Sequence, residues 1–265
     1  MSERVRVTIA NHIAEVVLCR PDKMNALDQA GFDQMTSAAE QIKKDKSVRV
    51  VIIHAEGDHF CSGADKSFLQ GAAANAESFR KRALTFDEGQ AANEFQKPVI
   101  EWVELDKPVL VCLQGVVYGA GMQIALAGDI RFAAPTTTMS LFEVHWGLVP
   151  DMGITQTLPK LVRSDVAMEL VLTGRLVKAQ EAAELGLLTR IDENPLSRAR
   201  ELAELIAEKS PDATKKGKQL LRDSHCLSRA EGLALEAQLQ CELVGTPNQI
   251  EAAMANMEKR AAKFT

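Results

Sequence analysis

The chain has 265 residues, of which 46% are hydrophobic and 25% charged, a composition typical of a globular protein with a substantial core. Its formal net charge of −5 argues against nucleic-acid binding through a broad basic surface, and no apolar run is long enough to span a bilayer. Five scattered cysteines predict free thiols in a reducing compartment such as the cytoplasm, and five histidines without metal-ligand spacing predict no metal site.

The N-terminal part of the chain predicts three strands and one helix, joined by two long loops. In order, these elements are a strand at 5–9, a strand at 13–18, a helix at 28–44 and a strand at 48–55. Asn11 and His12 form the turn between the first two strands, and Asp28 is placed to cap the helix. The two loops are residues 20–27 and 57–65.

A polar, helical pattern occupies residues 75–105, with an interruption near Pro98. An apolar strand at 109–113 then leads through the small residues 119–121 into a helical composition at 122–127. A strand that passes through small residues into a helix leaves the first helical N–H groups without backbone partners. Together with the helix dipole, these donors suit an oxygen that becomes negative during a reaction.

Two acids follow this helix in apolar surroundings. Glu143 lies in the strand-like run 139–144, and Asp151 follows Pro150. Carboxylates are costly to bury unless they are paired, hydrogen-bonded or partly neutral, so both are candidates for a shifted pKa. A single acid in such a place is most often a solvated loop carboxylate, but two acids close behind a small-residue helix start favour a functional site.

The remainder of the chain is mainly helical. The predicted elements are short helices at 155–161, 165–172 and 178–185, a strand at 187–191, and helices at 195–209, 212–222, 228–244 and 249–262. The change from mixed α/β to all-helical sequence near residue 192 predicts a core of residues 1–192 and a helical region of residues 193–265.

Four motifs together resemble the crotonase, or enoyl-CoA hydratase/isomerase, superfamily in their order and spacing. They are Pro21 to Leu27, Phe60 to Asp65, Lys107-Pro108 with Gly115 to Asp129, and Leu148 to Pro150. The resemblance implies an α/β fold, a spiral of repeated β-β-α units, with a C-terminal helical region used to form trimers or hexamers of two trimers. It also implies an acyl-CoA substrate, fatty-acid β-oxidation as the default pathway, and no cofactor besides the coenzyme A of the substrate.

The same resemblance implies which residues form the site. The backbone N–H groups of Ala64 and Ala120 would form an oxyanion hole, and Glu143 and Asp151 would be catalytic. Substrate binding is expected at Lys23, Ala26, Leu27, Ser62, Gly63, Asp65, Lys66, Phe68, Gly119, Gln123 and Phe142. For the two phenylalanines, core packing is an equally good interpretation.

The choice of reaction depends on Gln123. In family hydratases this position is a glutamate that helps to activate water, whereas glutamine cannot accept the proton. Glu143 with Asp151 resembles the acid pair of the dienoyl-CoA isomerases, although those enzymes carry an aspartate where this chain has Gln123. A double-bond shift by carboxylate-mediated proton transfer is therefore favoured. Hydration of a 2-trans-enoyl-CoA and acyl-CoA binding without catalysis are the alternatives, and acyl length stays open.

Overall fold

The computed structural model describes residues 2–265, which form a mixed α/β fold with two sheets and a helical C-terminal region. The strands are β1 Val5–Ala10, β2 Ile13–Leu18, β3 Val50–Ala55, β4 Val109–Leu113, β5 Val116–Tyr118, β6 Ile130–Ala133, β7 Thr138–Ser140, β8 Val177–Lys178 and β9 Arg190–Ile191. The six-stranded sheet has the order β1-β2-β3-β4-β6-β9 and is parallel except for the β1–β2 hairpin. The smaller sheet has the order β5-β7-β8.

Twelve α-helices and four short 3-10 helices surround these sheets in residues 2–265. The α-helices are α1 Gln29–Lys44, α2 Lys66–Ala74, α3 Ala76–Ala83, α4 Lys97–Glu104, α5 Ala120–Leu126, α6 Ile154–Thr157, α7 Ser164–Thr173, α8 Ala179–Leu185, α9 Pro195–Ala207, α10 Pro211–Asp223, α11 Arg229–Leu243 and α12 Pro247–Glu258. The 3-10 helices are Pro21–Lys23, Phe142–Trp146, Leu158–Lys160 and Ser224–Cys226. None of the helices in the described part of the chain is long and apolar enough to cross a membrane.

The central strands β3 and β4 are apolar along nearly their whole length because both faces of the sheet are covered. On one face, α9 presents Ala199, Ala203 and Ala207, all buried against the sheet. Their spacing of four residues places them on one side of the helix, and their small side chains let it approach the strands closely. On the other face lies the larger core, which extends to α5 and its small residues.

Several local predictions are confirmed. Asn11 and His12 occupy the turn between β1 and β2 with positive φ angles of 50° and 67°. The side chain of Asp28 accepts a hydrogen bond from the Gly31 N–H at 2.9 Å and caps α1. The four C-terminal helices end within a few residues of the predicted bounds. The division of the chain near residue 192 stays a prediction.

The local structure differs from the predictions or adds to them at three places, each for a physical reason. The apolar run 139–144 is not one strand, since β7 ends at Ser140 and a 3-10 helix carries the next residues to a left-handed Gly147. Residues 66–74 form α2, which starts where the Asp65 side chain caps it. The predicted interruption of the helical pattern is the segment 84–96, and Pro98 lies just after it in the first turn of α4, where its missing N–H costs nothing.

Candidate active site

Two chain segments bring backbone N–H groups together at the start of α5. Gly119 precedes α5 with φ 51° and ψ −123°, a conformation that favours glycine. A Cβ atom placed on Gly63 would lie 3.7 Å from the Ala120 nitrogen, so the turn that carries Ala64 lies against the helix start. Among residues 2–265, no acceptor is bonded to the N–H of Ala64 or Ala120. The predicted oxyanion-hole donors are therefore neighbours with unused hydrogen-bonding capacity.

The Ala64 turn is held on both sides by the loop that follows β2. The Leu27 N–H donates to the Gly63 carbonyl oxygen at 2.9 Å, and the Asp65 N–H donates to the Leu27 carbonyl oxygen at 2.8 Å. This brackets Ala64 with two backbone hydrogen bonds and leaves its own N–H unused. The loop and turn therefore form one unit, which contains the predicted coenzyme A-binding residues Lys23, Ala26, Leu27, Ser62, Gly63, Asp65 and Lys66.

Two residues that sequence reasoning missed support this unit. The guanidinium of Arg20 donates to Asp65 at 2.7 Å and to the Ala26 carbonyl oxygen at 3.0 Å, so it joins the loop to the turn. Asn25 is only 2% exposed, and its side-chain amide donates to two backbone carbonyl oxygens of the loop after β3. The only sequence signal was position, with Asn25 inside the first motif and Arg20 directly before it, because the contacts join segments far apart in the chain.

The helix α5 approaches the Ala64 segment at Gly121. A Cβ atom on Gly121 would lie 2.5 Å from the Cys61 carbonyl oxygen and 2.7 Å from the Cys61 Cβ. Cys61 is fully buried, and burial raises the pKa of its thiol to about 12. This thiol is a packing group at neutral pH rather than a nucleophile, in agreement with the sequence interpretation.

We expect Gly121→Ala to lower stability by about 1–3 kcal/mol, because the added methyl group has no space and the backbone must move. Thermal unfolding of the purified variant measures this loss. Gly71→Ala is the matched control: Gly71 is in helix α2 with nothing within 4 Å of a Cβ atom, so alanine there should be neutral or slightly stabilising. Equal unfolding temperatures for the two variants would contradict the close packing described here.

Glu143 lies beside the oxyanion-hole donors, on the 3-10 helix Phe142–Trp146. A Cβ atom on Gly119 would be 3.4 Å from its Oε1. The Oε2 atom is buried and has no hydrogen-bond partner among residues 2–265. Burial raises the pKa of the Glu143 carboxyl, and the negative charge of Asp151 adds to the rise, while hydrogen bonds from its own N–H and from Gln123 oppose it. Oε1 of the carboxyl thus accepts a hydrogen bond from Gln123, whereas Oε2 accepts none from residues 2–265.

Asp151 is the second acid of the site. The residue is exposed at the surface of the chain, between buried Pro150 and buried Met152. Desolvation of its carboxyl by the surrounding protein nevertheless raises its pKa. Its charge also raises the pKa of Glu143, so the two carboxyls share one electrostatic environment. The pKa values of both acids are thus shifted, as the apolar sequence around them predicts.

Gln123 joins the two acid-bearing segments. It is 1% exposed, its Nε2 donates to Glu143 Oε1 at 2.7 Å, and its Oε1 accepts from the Met152 N–H at 2.9 Å. The sequence predicted a substrate-binding role for this amide. Its oxygen and one of its two Nε2 protons are used by the protein, so only the second Nε2 proton is left for a substrate.

The predicted acyl-pocket phenylalanines both take part in aromatic packing. Phe142 stacks on Tyr118 with ring centroids 5.6 Å apart and lies 4.4 Å from the His145 ring. Phe68 contacts Phe32 at 5.0 Å within a larger aromatic cluster. The His145 Nε2 lies 3.2 Å from the Gly174 carbonyl oxygen. The aromatic stack thus orients the 3-10 helix that carries Glu143.

The chain is similar to known proteins along almost its full length. The family description "Enoyl-CoA hydratase/isomerase" matches residues 8–265. Carnitinyl-CoA dehydratase of Proteus mirabilis is 30% identical over 272 residues, covering 100% of this chain and 99% of that protein. The peroxisomal Delta(3,5)-Delta(2,4)-dienoyl-CoA isomerase of Arabidopsis thaliana is 29% identical over 266 residues, covering 99% of this chain and 96% of that protein. The crystal structure of enoyl-CoA hydratase from Bacillus anthracis matches with a TM-score of 0.89 and 29% identity, covering 99% of both chains.

Proposed function

Because the chain belongs to the enoyl-CoA hydratase/isomerase family, we propose that it shifts the double bonds of an unsaturated acyl-CoA with two carboxyl groups, one taking a proton from the acyl chain and the other returning one to a different carbon. The proposed reaction converts a 3,5-dienoyl thioester into the conjugated 2,4-dienoyl thioester. One observation carries this proposal. Glu143 lies beside Gly119 and the unused N–H groups of Ala64 and Ala120, and Gln123 bonds both to Glu143 and to the backbone N–H directly after Asp151. The charge of Asp151 also raises the pKa of Glu143, so a second carboxyl is near the first.

In the first step, the N–H groups of Ala64 and Ala120 bind the thioester carbonyl oxygen. Fixed donors in a water-poor site stabilise the negative charge that this oxygen gains when the α-proton leaves, with little reorganisation. Glu143 is the base, and its unpartnered Oε2 is the oxygen available to take the proton from C2. The electron pair of the C2–H bond becomes part of an extended dienolate.

In the second step, Asp151 returns a proton to C6. The dienolate carries negative charge at the carbonyl oxygen and at alternate carbons as far as C6, so protonation at C6 yields double bonds at C2 and C4. The raised pKa of Asp151 favours the protonated form that this step needs. Two carboxyls are required because C2 and C6 are too far apart for one. This chemistry uses no cofactor besides the coenzyme A of the substrate.

We expect Asp151→Asn to reduce dienoyl isomerisation by about 10²- to 10⁴-fold while leaving the removal of the C2 proton near the wild-type rate. Asparagine is similar in size but cannot supply the proton. Turnover is followed by the absorbance of the conjugated diene, and C2 proton removal by deuterium uptake from D₂O into the thioester. Wild-type isomerisation by Asp151→Asn would contradict the two-carboxyl proposal.

Hydration of a 2-trans-enoyl thioester is the second candidate, favoured by similarity to relatives named hydratases and dehydratases. The glutamine that is hydrogen-bonded to Glu143 argues against hydration. Gln123 can hold a water molecule through its remaining Nε2 proton, but an amide does not accept the proton that the attacking water must lose. The hydratase would therefore depend on Glu143 alone.

A trimer, or a hexamer of two trimers, is the proposed assembly, since large apolar side chains are exposed near the site and on the C-terminal helices. These side chains are Trp146, Leu148, Val149, Met168, Leu172, Leu176, Leu233, Ile250, Met254 and Met257. Apolar surface of this extent is typical of protein interfaces. We also propose that the protein acts in the cytoplasm, in fatty-acid β-oxidation.

A further inference from the structure

The orientation of the Gln123 side-chain amide is determined by its two partners. The Met152 backbone N–H can only donate, so it must face the amide oxygen, and this leaves Nε2 to face Glu143. Because Nε2 is a donor, Glu143 Oε1 must act as the acceptor in this contact. The atom that can gain or lose a proton is therefore Oε2, which has no partner among residues 2–265.

We propose that Gln123 is a positioning residue that selects Oε2 of Glu143 as the reacting oxygen and holds the segment of Asp151 at a fixed distance from it. One side chain bonds to the first acid and to the backbone N–H directly after the second. Gln123 is the fourth residue of α5 and is 1% exposed, and both ends of its amide are engaged, so one buried side chain fixes the two contacts relative to each other. The part of this inference that concerns both acids acting on one substrate rests on the proposed function.

The contact also has an electrostatic consequence. The groups that face the Glu143 carboxyl are its own backbone N–H, the Gln123 amide from α5 and the Asp151 carboxyl from the following loop. The amide N–H stabilises the ionised carboxylate, whereas Asp151, when ionised, destabilises it. Removal of the amide donor should therefore move the titration of Glu143 to higher pH.

Two variants separate the contacts of Gln123. Methionine has a similar length but neither donates nor accepts a strong hydrogen bond, so Gln123→Met loses both contacts. Gln123→Glu keeps an acceptor for the Met152 N–H but, when ionised, cannot donate to Glu143 and repels it. If the unpaired Met152 N–H prevents Gln123→Met from folding, Gln123→Glu still tests the contact with Glu143.

The primary measurement is a carbon-13 NMR titration of glutamate-labelled protein without substrate, with the Glu143 signal assigned by its absence in Glu143→Gln. We expect the Glu143 midpoint to rise by about one pH unit in Gln123→Met and by at least as much in Gln123→Glu. Unchanged midpoints in both variants would overturn the inference. Because this readout needs no turnover, it is independent of the proposed reaction.

Turnover assays then test the positioning of the second acid. In Gln123→Met, dienoyl isomerisation at the pH optimum of the variant should fall at least tenfold more than C2 deuterium exchange, since isomerisation needs both acids and exchange needs only Glu143. An equal loss of both activities would refute the part of the inference that concerns Asp151. If the wild type exchanges C2 protons but isomerises no dienoyl substrate, the proposed function fails, while the NMR result still decides the role of Gln123 towards Glu143.

Discussion

Glu143→Gln is expected to lower isomerisation and C2 proton exchange by about a thousandfold, within the 10²–10⁴ range typical of general acid–base residues. A loss of that size corresponds to about 4 kcal/mol in the activation free energy. The reason is that Oε2 is the only carboxyl oxygen beside the oxyanion-hole donors that is buried and unpartnered within residues 2–265. Steady-state kinetics on the dienoyl thioester and deuterium uptake measure the two losses separately.

The same substitution should not destabilise the protein, so the unfolding temperature of Glu143→Gln is the control for its loss of activity. Because the pKa of Glu143 is raised in the folded state, the folded protein binds this proton more tightly than the unfolded chain does. The group therefore lowers stability as pH rises from its unfolded pKa of about 4.3 through the raised folded value. Glutamine carries no charge to bury, so the variant should unfold at the wild-type temperature or above it at neutral pH. A lower unfolding temperature, together with lost activity, would instead indicate structural damage.

Ala120→Pro is expected to reduce turnover by about 10²- to 10³-fold, the usual effect of removing one oxyanion-hole donor. Ala120 is the first residue of α5 and follows the N-cap residue Gly119. Proline is well tolerated at this helix position, because its φ angle fits and the lost N–H has no intrahelical acceptor. The substitution thus removes the proposed catalytic donor without removing a backbone hydrogen bond of the fold.

The matched control is Ala120→Gly, which keeps the N–H and changes only the side chain. Its turnover should lie within a few-fold of the wild type, and binding of coenzyme A by both variants should be measured by calorimetry. If Ala120→Pro binds the thioester and turns it over as fast as Ala120→Gly, the N–H of Ala120 does not stabilise the transition state.

Much of the site could be predicted from the sequence because its parts are local. The strand, the small residues and the helix start are contiguous around Ala120, and Glu143 and Asp151 follow it by 23 and 31 positions in the sequence. Their apolar neighbours also correctly predicted shifted pKa values for Glu143 and Asp151, both of which are raised. A short-range sequence pattern, and the desolvation expected for an acid among apolar residues, can both be recognised from the sequence alone.

Other parts could not be predicted, since they depend on contacts between distant segments or on very short elements. A six-residue apolar run fits a strand and a 3-10 helix equally well, so the secondary structure around Glu143 was assigned wrongly. The hydrogen bonds of Gln123 to residues 20 and 29 positions away in sequence have no local signature. The same holds for Arg20, which reaches Asp65 across 45 positions.

The most direct test is turnover of the wild-type protein on three coenzyme A thioesters: a 3,5-dienoyl, a 3-enoyl and a 2-trans-enoyl chain of equal length. The proposed function predicts that the 3,5-dienoyl substrate gains the absorbance of a conjugated 2,4-diene and is consumed fastest, while the 2-trans-enoyl substrate gains little water. Rapid hydration of the 2-trans-enoyl substrate with no reaction of the dienoyl substrate would contradict the proposal and establish a hydratase. Binding of all three substrates without turnover would contradict catalysis itself.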